Sequence, residues 1–318
     1  MTADGRTTSP PRVSTATVAR AYFALQAVAG AAWWVAVFTL PLVREATLGD
    51  LDPIVMAALD VPLFVVASAL AAVLPRRAAD WAGAAATAWT LAVTAVLGVY
   101  ATVTTLAGAG VILMVAASIA SVGAWLLLVL GRVPTEWLLI EPFAFRPARP
   151  RRTPVAHVIA TTGQIVVFWG LFLAVFPVII RALEDRWRLA LPMPAGVAVA
   201  GAVIIVAASA LGLWSAASIT VKGDGTPLPS AMPNRLVVAG PYRLIRNPMA
   251  VAGIAQGVGV GLVLSSWMVV AYALAGSLVW NYAIRPHEEA DLATAFGDEY
   301  RVYAREVRCW VPRLRPVR

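Results

Sequence analysis

Two short polar clusters are the best candidates for chemistry in this chain. The first is Arg246–Asn247–Pro248, and the second is the pair Glu288 and Glu289. An arginine just ahead of a helix favours an anion, because its guanidinium and the free N–H groups of the first helical turn act together. The carboxylates accept hydrogen bonds from ammonium and hydroxyl groups. The two clusters therefore supply binding groups of both charges.

The rest of the composition defines where these clusters must act. The chain has 318 residues, of which 60% are apolar and 13% charged, and its mean hydropathy is +0.78. Soluble domains are about 45–50% apolar and about 25% charged, so a soluble globular fold is excluded. Intrinsic disorder is excluded as well, because it requires low hydrophobicity and high net charge. The composition predicts an all-α, polytopic transmembrane helical bundle.

About eight apolar segments have the length of a membrane span. Charged residues or prolines bound each of them. The last two are separated only by a corner at residues 264–267, which predicts a tight helical hairpin. The segments run from Val18 to Val43, Pro53 to Leu74, Trp81 to Leu106, Ala109 to Leu130, Val155 to Ile180, Ala195 to Ile219, Pro248 to Ser265, and Ser266 to Ile284.

The arginines and lysines predict the orientation of these spans. Alternate connections, beginning with the N-terminal tail, hold 21 of the 25 basic residues. Because cytoplasmic loops carry the excess of Lys and Arg, both termini of this integral membrane protein are predicted to lie in the cytoplasm. Arg246 and Glu289 then fall on the same cytoplasmic face.

Three regions follow from this reading. Residues 1–131 form a four-span N-terminal region of unknown role, and residues 132–154 form a cytoplasmic linker rich in Arg and Pro. Such a linker is expected to be extended and to contact anionic lipid. Residues 155–318 hold the other four spans and all the long polar segments, so the chemistry is predicted to lie there.

Two helical patterns in the last region bear on the site. Apolar residues recur at helical spacing after residue 285, which predicts a C-terminal amphipathic helix suited to the membrane surface. Gly253, Gly257 and Gly261 fall four residues apart in the seventh span, a pattern typical of closely packed helices. The apolar positions of the C-terminal helix are Leu292, Phe296, Tyr300 and Tyr303.

Several other functions are excluded by residue types. The net charge of +8 suggests nucleic-acid binding, but no basic cluster is interleaved with the aromatic residues that stack on bases. No nucleic-acid partner is therefore predicted. A single cysteine, Cys309, and two histidines lack the spacing of metal ligands, so no metal site is predicted.

The polar clusters resemble those of the isoprenylcysteine carboxyl methyltransferase and phospholipid methyltransferase superfamily of membrane enzymes. GPYRLIRNP, two short spans, HEEADL, FGDEYRVYAREV and WVP follow one another here, whereas that superfamily has an Arg-His-Pro motif and a later Glu-Glu pair. The matching positions are Arg246, Asn247, Pro248, Glu288 and Glu289. The resemblance covers about residues 195–313. Asparagine in place of the motif histidine is common in bacterial members, which implies a bacterial plasma membrane.

The resemblance implies S-adenosylmethionine-dependent methyl transfer to a lipophilic acceptor in the membrane. The acceptor would carry a carboxylate, a hydroxyl or an amine, and would move in sideways from the surrounding lipids. Arg246 and Glu289 are then the catalytic candidates. For a hydroxyl acceptor, His287 or one of the glutamates is the candidate base. The cofactor-binding candidates are Tyr242, Arg246, Asn247, Pro248, His287, Glu288 and Glu289.

Two other functions stay open from the sequence. The family usually has a tyrosine two residues after the motif proline, where this chain has Ala250. Because of this departure, a non-catalytic membrane scaffold with a degenerate copy of the fold is one alternative. The alternative enzyme is an NADPH-dependent reductase of the sterol-reductase-like type, which shares a similar C-terminal architecture.

Overall fold

The part of the chain that the structure describes is helical throughout. The computed structural model describes residues 14–138, 162, 163, 166–223 and 234–316, and within these ranges it contains no strand. The described residues divide into two compact units, one reaching Pro134 and including Arg186–Leu189, the other containing the remainder. Most of the predicted linker, the start of the predicted fifth span and the polar loop 224–233 lie outside the described residues.

The first unit is a set of helices packed through small side chains. Its helices are α1 (Thr15–Thr39), α2 (Pro41–Thr47), α3 (Pro53–Val73), α4 (Arg76–Thr104) and α5 (Gly108–Leu130). Buried alanines from four of these helices surround Phe23, which is fully buried. Because alanine has a small side chain, the helices approach closely without a need for water to fill gaps. The N-cap side chains of Ser14 and Asp52 accept hydrogen bonds from the first turns of α1 and α3.

Among its described residues, the second unit contains five helices and the two polar clusters. A 3₁₀ turn at Thr135–Leu138 precedes them, and another at Gly240–Arg243 leads into the first cluster. A π turn at Trp280–Ile284 joins the last two helices. The helices are α6 (Val166–Arg186), α7 (Gly196–Lys222), α8 (Pro248–Val263), α9 (Trp267–Val279) and α10 (Arg285–Glu306).

The predicted all-α membrane fold is confirmed. Of the helices that the structure describes, seven are long and apolar enough to cross a membrane, and α8, with 16 residues, is a shorter apolar helix. At 1.5 Å per residue, α8 is about 24 Å long, slightly less than the hydrocarbon core of about 30 Å. The expectation of about eight spans therefore corresponds to seven long helices and this short one.

The last apolar run changes character at Arg285. From Trp267 to Glu306 the chain forms a helical run of 40 residues with a kink at Gly297, where φ is 54°; a straight helix of this length would measure about 60 Å, twice the thickness of the hydrocarbon core. Only its first part, α9 and the π turn, is apolar enough to span. We therefore treat α10 as lying beyond the spanning segment. Its charged residues are Arg285, Glu288, Glu289, Asp291, Asp298, Glu299, Arg301, Arg305 and Glu306.

Glycines let α8 approach both of its neighbours. A Cβ at Gly257 would lie 2.9 Å from the Cβ of Ala273 on α9, and a Cβ at Gly259 would lie 2.8 Å from the Gly201 oxygen on α7. A Cβ at Gly261 would lie 2.8 Å from the Val270 nitrogen. The predicted close packing is therefore seen at Gly257 and Gly261. Gly253 differs, because a Cβ there would meet no atom within 4 Å.

Candidate active site

The C-terminal tail packs along the first polar cluster and fixes its backbone. The Arg246 N–H donates to the Arg308 carbonyl at 3.1 Å, and the Arg313 N–H donates to the Leu244 carbonyl at 2.9 Å. The side chain of Asn247 donates to Cys309 Sγ at 3.2 Å. These contacts hold the chain in place just before α8, where Pro248 occupies the first turn.

The two clusters meet through an ion pair between distant residues of the chain. Arg246 Nη1 lies 3.4 Å from Glu289 Oε1, and Arg285 Nη1 lies 3.2 Å from the same oxygen. Both side chains of the first pair are mostly buried, with exposed fractions of 14% for Arg246 and 26% for Glu289. Glu289 is thus held between two guanidinium groups.

The amphipathic helix α10 places its apolar face over this ion pair. Leu292 and Phe296 follow Glu289 at helical spacing and line the same cavity as Glu289. Tyr300 and Tyr303 are buried in a cluster with Leu236 and Val238, which are partly buried. The predicted amphipathic helix therefore turns this face towards the protein rather than the membrane surface.

A cavity of about 750 Å³ connects these polar groups to the apolar helices. Its polar end is lined by Tyr242, Arg246, Asn247, Glu288 and Glu289. Its apolar arm follows α8 and α9 and is lined mainly by aliphatic and aromatic side chains. A volume of this size is typical of pockets for small organic ligands, which are mostly apolar with a few placed polar groups.

The apolar arm opens sideways between α6 and α9. Phe172 on α6 and Gly276 and Val279 on α9 line the cavity and are also exposed. Tyr272 bridges the same two helices, since its hydroxyl donates to the Phe172 carbonyl at 3.4 Å and its ring contacts Phe176 edge-on. Because these helices are apolar, the opening faces the part of the bilayer occupied by lipid chains.

Glu288 has an unusual charge environment at the polar end. Burial and, as the smaller cause, the charge of the neighbouring Glu289 carboxylate together raise the pKa of Glu288 to about 7. Glu289 itself is held by Arg246 and Arg285. The polar end therefore holds one carboxylate that is paired with cations and one that takes up a proton near neutral pH.

Two tyrosines add hydrogen-bond donors to this end. Burial raises the pKa of Tyr242 well above its usual value, with the charge of Glu288 adding to the shift. Burial raises the pKa of Tyr300 to about 12. Both phenols therefore stay protonated at neutral pH. The hydroxyl of Tyr303 donates to the Tyr242 carbonyl at 2.7 Å, which ties α10 to the turn ahead of α8.

Comparison with known proteins finds a family match for the segment that holds this arrangement. Residues 197–299 match the phospholipid methyltransferase family. The matched segment runs from α7 into α10 and so includes both polar clusters and the helical hairpin between them. The resemblance seen in the sequence is therefore confirmed over this region.

A curated relative shares a smaller part of the chain. The cobalt-zinc-cadmium resistance protein CzcN of Cupriavidus metallidurans is 40% identical over 82 residues, which is 26% of this chain and 37% of that protein. The chain thus matches little more than a third of the length of this relative. No solved structure matches the chain.

Most of the predicted site residues line the cavity described above. Tyr242, Arg246, Asn247, Glu288 and Glu289 all do so. Pro248 is buried at the start of α8 and positions the residues beside it without lining the cavity.

His287 was expected to line the pocket, and that expectation is wrong. Its Nε2 lies 2.9 Å from the hydroxyl of Thr135, away from the cavity-lining residues. The physical reason is the helical turn of about 100° per residue, which does not allow His287, Glu288 and Glu289 to share one face. Glu289 and Leu292 define the face that meets the cavity.

Three further residues line the cavity although the sequence patterns do not assign them to a site. In the sequence, Tyr300 belongs to the apolar face of α10 and Arg235 contributes to the positive charge that predicts topology. Gln256 is a polar residue within an apolar span, which by itself marks a candidate functional residue. All three line the cavity.

Proposed function

We propose that the second unit binds S-adenosylmethionine at the polar end of the cavity and transfers its methyl group to a lipophilic acceptor in the apolar arm. One observation carries this proposal. A single cavity joins the Arg246–Glu289 ion pair to a lipid-facing opening between α6 and α9. A water-soluble methyl donor and a membrane-borne acceptor would need such a connection in order to meet.

The side chains at the polar end fit the charged groups of this cofactor. The Nε of Arg246 is buried and has no hydrogen-bond partner among the described residues, so it has a free donor for a carboxylate. The α8 N-terminus also favours an anion there, because Asn247 makes no side-chain cap. Glu288 offers a carboxylate for the ammonium group, and Tyr242 and Tyr300 offer further polar contacts.

When bound, S-adenosylmethionine would supply a methyl group on a positively charged sulfur: a lone pair of the acceptor would form a bond to the methyl carbon as the carbon–sulfur bond breaks, and the electron pair of the broken bond would stay on the sulfur. The residues of this chain hold and orient the two reactants and exclude water. Arg246 and Glu289 fix the polar end by holding one another. The aromatic and aliphatic arm desolvates the acceptor.

The fate of the proton depends on the acceptor. A carboxylate acceptor has no proton to lose, so it requires no base. For a hydroxyl acceptor, Glu288 is the candidate base, because its pKa of about 7 lies near the working pH. His287 does not reach the cavity and has no part in this proposal.

The cellular setting is part of the same proposal. The excess of Arg and Lys on alternate connections supports a cytoplasmic location for both termini and for the polar end of the cavity. A bacterial plasma membrane is the proposed location, and membrane lipids surround the opening between α6 and α9.

The test is transfer of labelled methyl groups. Purified protein is incubated with methyl-labelled S-adenosylmethionine and a bacterial polar and neutral lipid extract, and the organic phase is counted. We expect label in the lipid phase for the wild type and for Glu299→Gln, an exposed glutamate on α10. We expect Glu289→Gln to lose most of it. Absence of label in the wild type, or equal label in both variants, would contradict the proposal.

A further inference from the structure

Gln256 is a buried polar residue in the middle of an apolar helix. It lies on α8 with an exposed fraction of 2% and also lines the cavity. A primary amide within the hydrocarbon region is costly unless its polar atoms find partners. Both polar atoms of the Gln256 side chain are therefore expected to have hydrogen-bond partners.

Only one end of this amide is satisfied. Nε2 donates to the hydroxyl of Ser209 on α7 at 2.8 Å, whereas Oε1 is buried and has no hydrogen-bond partner among the described residues. Exchange of the amide oxygen and nitrogen does not remove the problem. A serine hydroxyl donates or accepts, so it pairs with one amide atom and the other stays unpaired.

The cavity has room beside Gln256. A Cβ at Gly253, one turn earlier on α8, or at Gly276 on α9 would meet no atom within 4 Å, and both glycines line the cavity. Gln256 lies nine residues beyond Asn247, which is about 13 Å along a helix axis. The unpaired amide atom thus adjoins the apolar arm, well away from the charged end.

We propose that Gln256 recognises the lipophilic ligand of the cavity by accepting a hydrogen bond from a hydroxyl or N–H group on its apolar body. The inference rests on the proposed function and narrows the acceptor class. The acceptor is an apolar molecule that carries a hydrogen-bond donor on the part of its body beside Gln256, which lies about 13 Å along α8 from Asn247. A purely aliphatic chain leaves Gln256 unpaired.

A purely structural role makes a different prediction. If Gln256 only links α8 to α7, its importance rests on the bond to Ser209. Ser209→Ala then has the same effect on ligand recognition as replacing Gln256. If Gln256 binds the ligand, Ser209→Ala preserves recognition, because it leaves the amide in the cavity wall.

The experiment compares two probes that differ by one hydroxyl. Tritiated 1-decanol is bound to the full-length protein in detergent and is displaced by unlabelled 1-decanol or n-decane, with concentrations corrected for partition into the micelles. For the wild type we expect the alcohol to displace about tenfold better than the alkane, the size of one hydrogen bond to an otherwise unpaired buried group. Ser209→Ala should keep this preference, and Gln256→Leu should lose it.

Several results would overturn the inference. These are absence of specific decanol binding, equal displacement by the two probes in the wild type, and an alcohol preference that persists in Gln256→Leu. If that variant does not fold, Gln256→Met, which preserves the side-chain length, replaces it. S-adenosylmethionine binding to the same samples separates the two proposals. Normal cofactor binding without an alcohol preference overturns only this inference, and no cofactor binding in the wild type overturns the proposed function as well.

Discussion

The two units each bury a glutamine inside apolar helices, and the two glutamines differ in what they bind. In the first unit, Gln26 Nε2 donates to Ser68 at 3.1 Å, and its Oε1 accepts from Ser121 at 2.7 Å and from the hydroxyl of Tyr22. In the second unit, Gln256 donates to Ser209, and its Oε1, beside a cavity, has no hydrogen-bond partner in the part of the chain that the structure describes. Gln26 links helices through these hydrogen bonds, whereas the Gln256 oxygen is still able to accept one.

Asp60 and Arg246 show a similar contrast. Asp60 in the first unit accepts a hydrogen bond on each carboxylate oxygen, from the indole of Trp34 at 2.9 Å and of Trp89 at 2.7 Å. Arg246 in the second unit has a buried Nε with no hydrogen-bond partner among the described residues, and it lines the cavity. A polar group saturated by its neighbours stabilises a fold, and one left unsaturated beside a cavity is suited to a ligand. The comparison favours a structural role for the polar network around Gln26 and supports the binding role proposed for the polar end of the second unit.

The largest effect is expected at the ion pair. Arg246→Ala should weaken S-adenosylmethionine binding by about a hundredfold, because it removes a buried cationic partner of both the ligand and Glu289. Isothermal titration in detergent measures the affinity. Arg301→Ala is the matched control, since Arg301 pairs with Asp298 within α10 and its side chain is 65% exposed. An equal affinity in the two variants would place the cofactor elsewhere.

Blocking the apolar arm should reduce methyl transfer to the acceptor without changing the affinity for the cofactor. Gly276→Leu adds a side chain into open space within the cavity. We expect methyl transfer to lipid to fall by about tenfold or more, because the acceptor is displaced from its reacting position, with cofactor affinity unchanged. Gly123→Leu in the first unit is the control, since a Cβ there also meets no atom within 4 Å. Undiminished transfer in Gly276→Leu would show that the acceptor does not use this arm.

The two glutamines should differ in their contribution to stability. Gln26→Leu leaves Ser68, Ser121 and Tyr22 without this partner and should lower the free energy of unfolding by about 2–3 kcal/mol. Gln256→Leu removes one hydrogen bond and also an unpaired oxygen, and should lower it by about 1 kcal/mol or less. Thermal unfolding in one detergent measures both. A larger loss for Gln256→Leu would reverse the comparison.

The smallest effect is a pH dependence from Glu288. Below pH 7 this carboxylate is largely protonated, since its pKa is raised to about 7, and a cationic ligand favours the ionised form. Affinity for S-adenosylmethionine should therefore rise by less than about tenfold from pH 6 to pH 8. Glu288→Gln should flatten this dependence. It should also raise the unfolding temperature at pH 8 but not at pH 4, because the native carboxylate opposes folding as it ionises. A fall in wild-type affinity from pH 6 to pH 8 would contradict this role.

Much of the fold could be predicted because its physical cause is local. Each span is a long apolar run, so hydropathy alone predicts the helices and the α8–α9 hairpin. The positive charges then predict that Arg246 and Glu289 share one membrane face. The family resemblance adds which of these polar residues belong together, and their 3.4 Å contact agrees with it.

What could not be predicted depends on which way each side chain faces. His287 neighbours Glu288 in sequence but diverges from the cavity face of α10. Gly253 shares the spacing of Gly257, yet one faces open space and the other packs against Ala273. Neither distinction is visible without the positions of the neighbouring helices, because helical periodicity defines faces but not what each face meets.

The most direct test of the account is a titration of the wild-type protein with S-adenosylmethionine and, separately, with NADPH at pH 8. Isothermal titration in detergent should show saturable, single-site binding of S-adenosylmethionine and none of NADPH. Binding of NADPH alone would favour a reductase. Binding of neither ligand at millimolar concentration would contradict the assignment of the Arg246–Glu289 end of the cavity as a cofactor site.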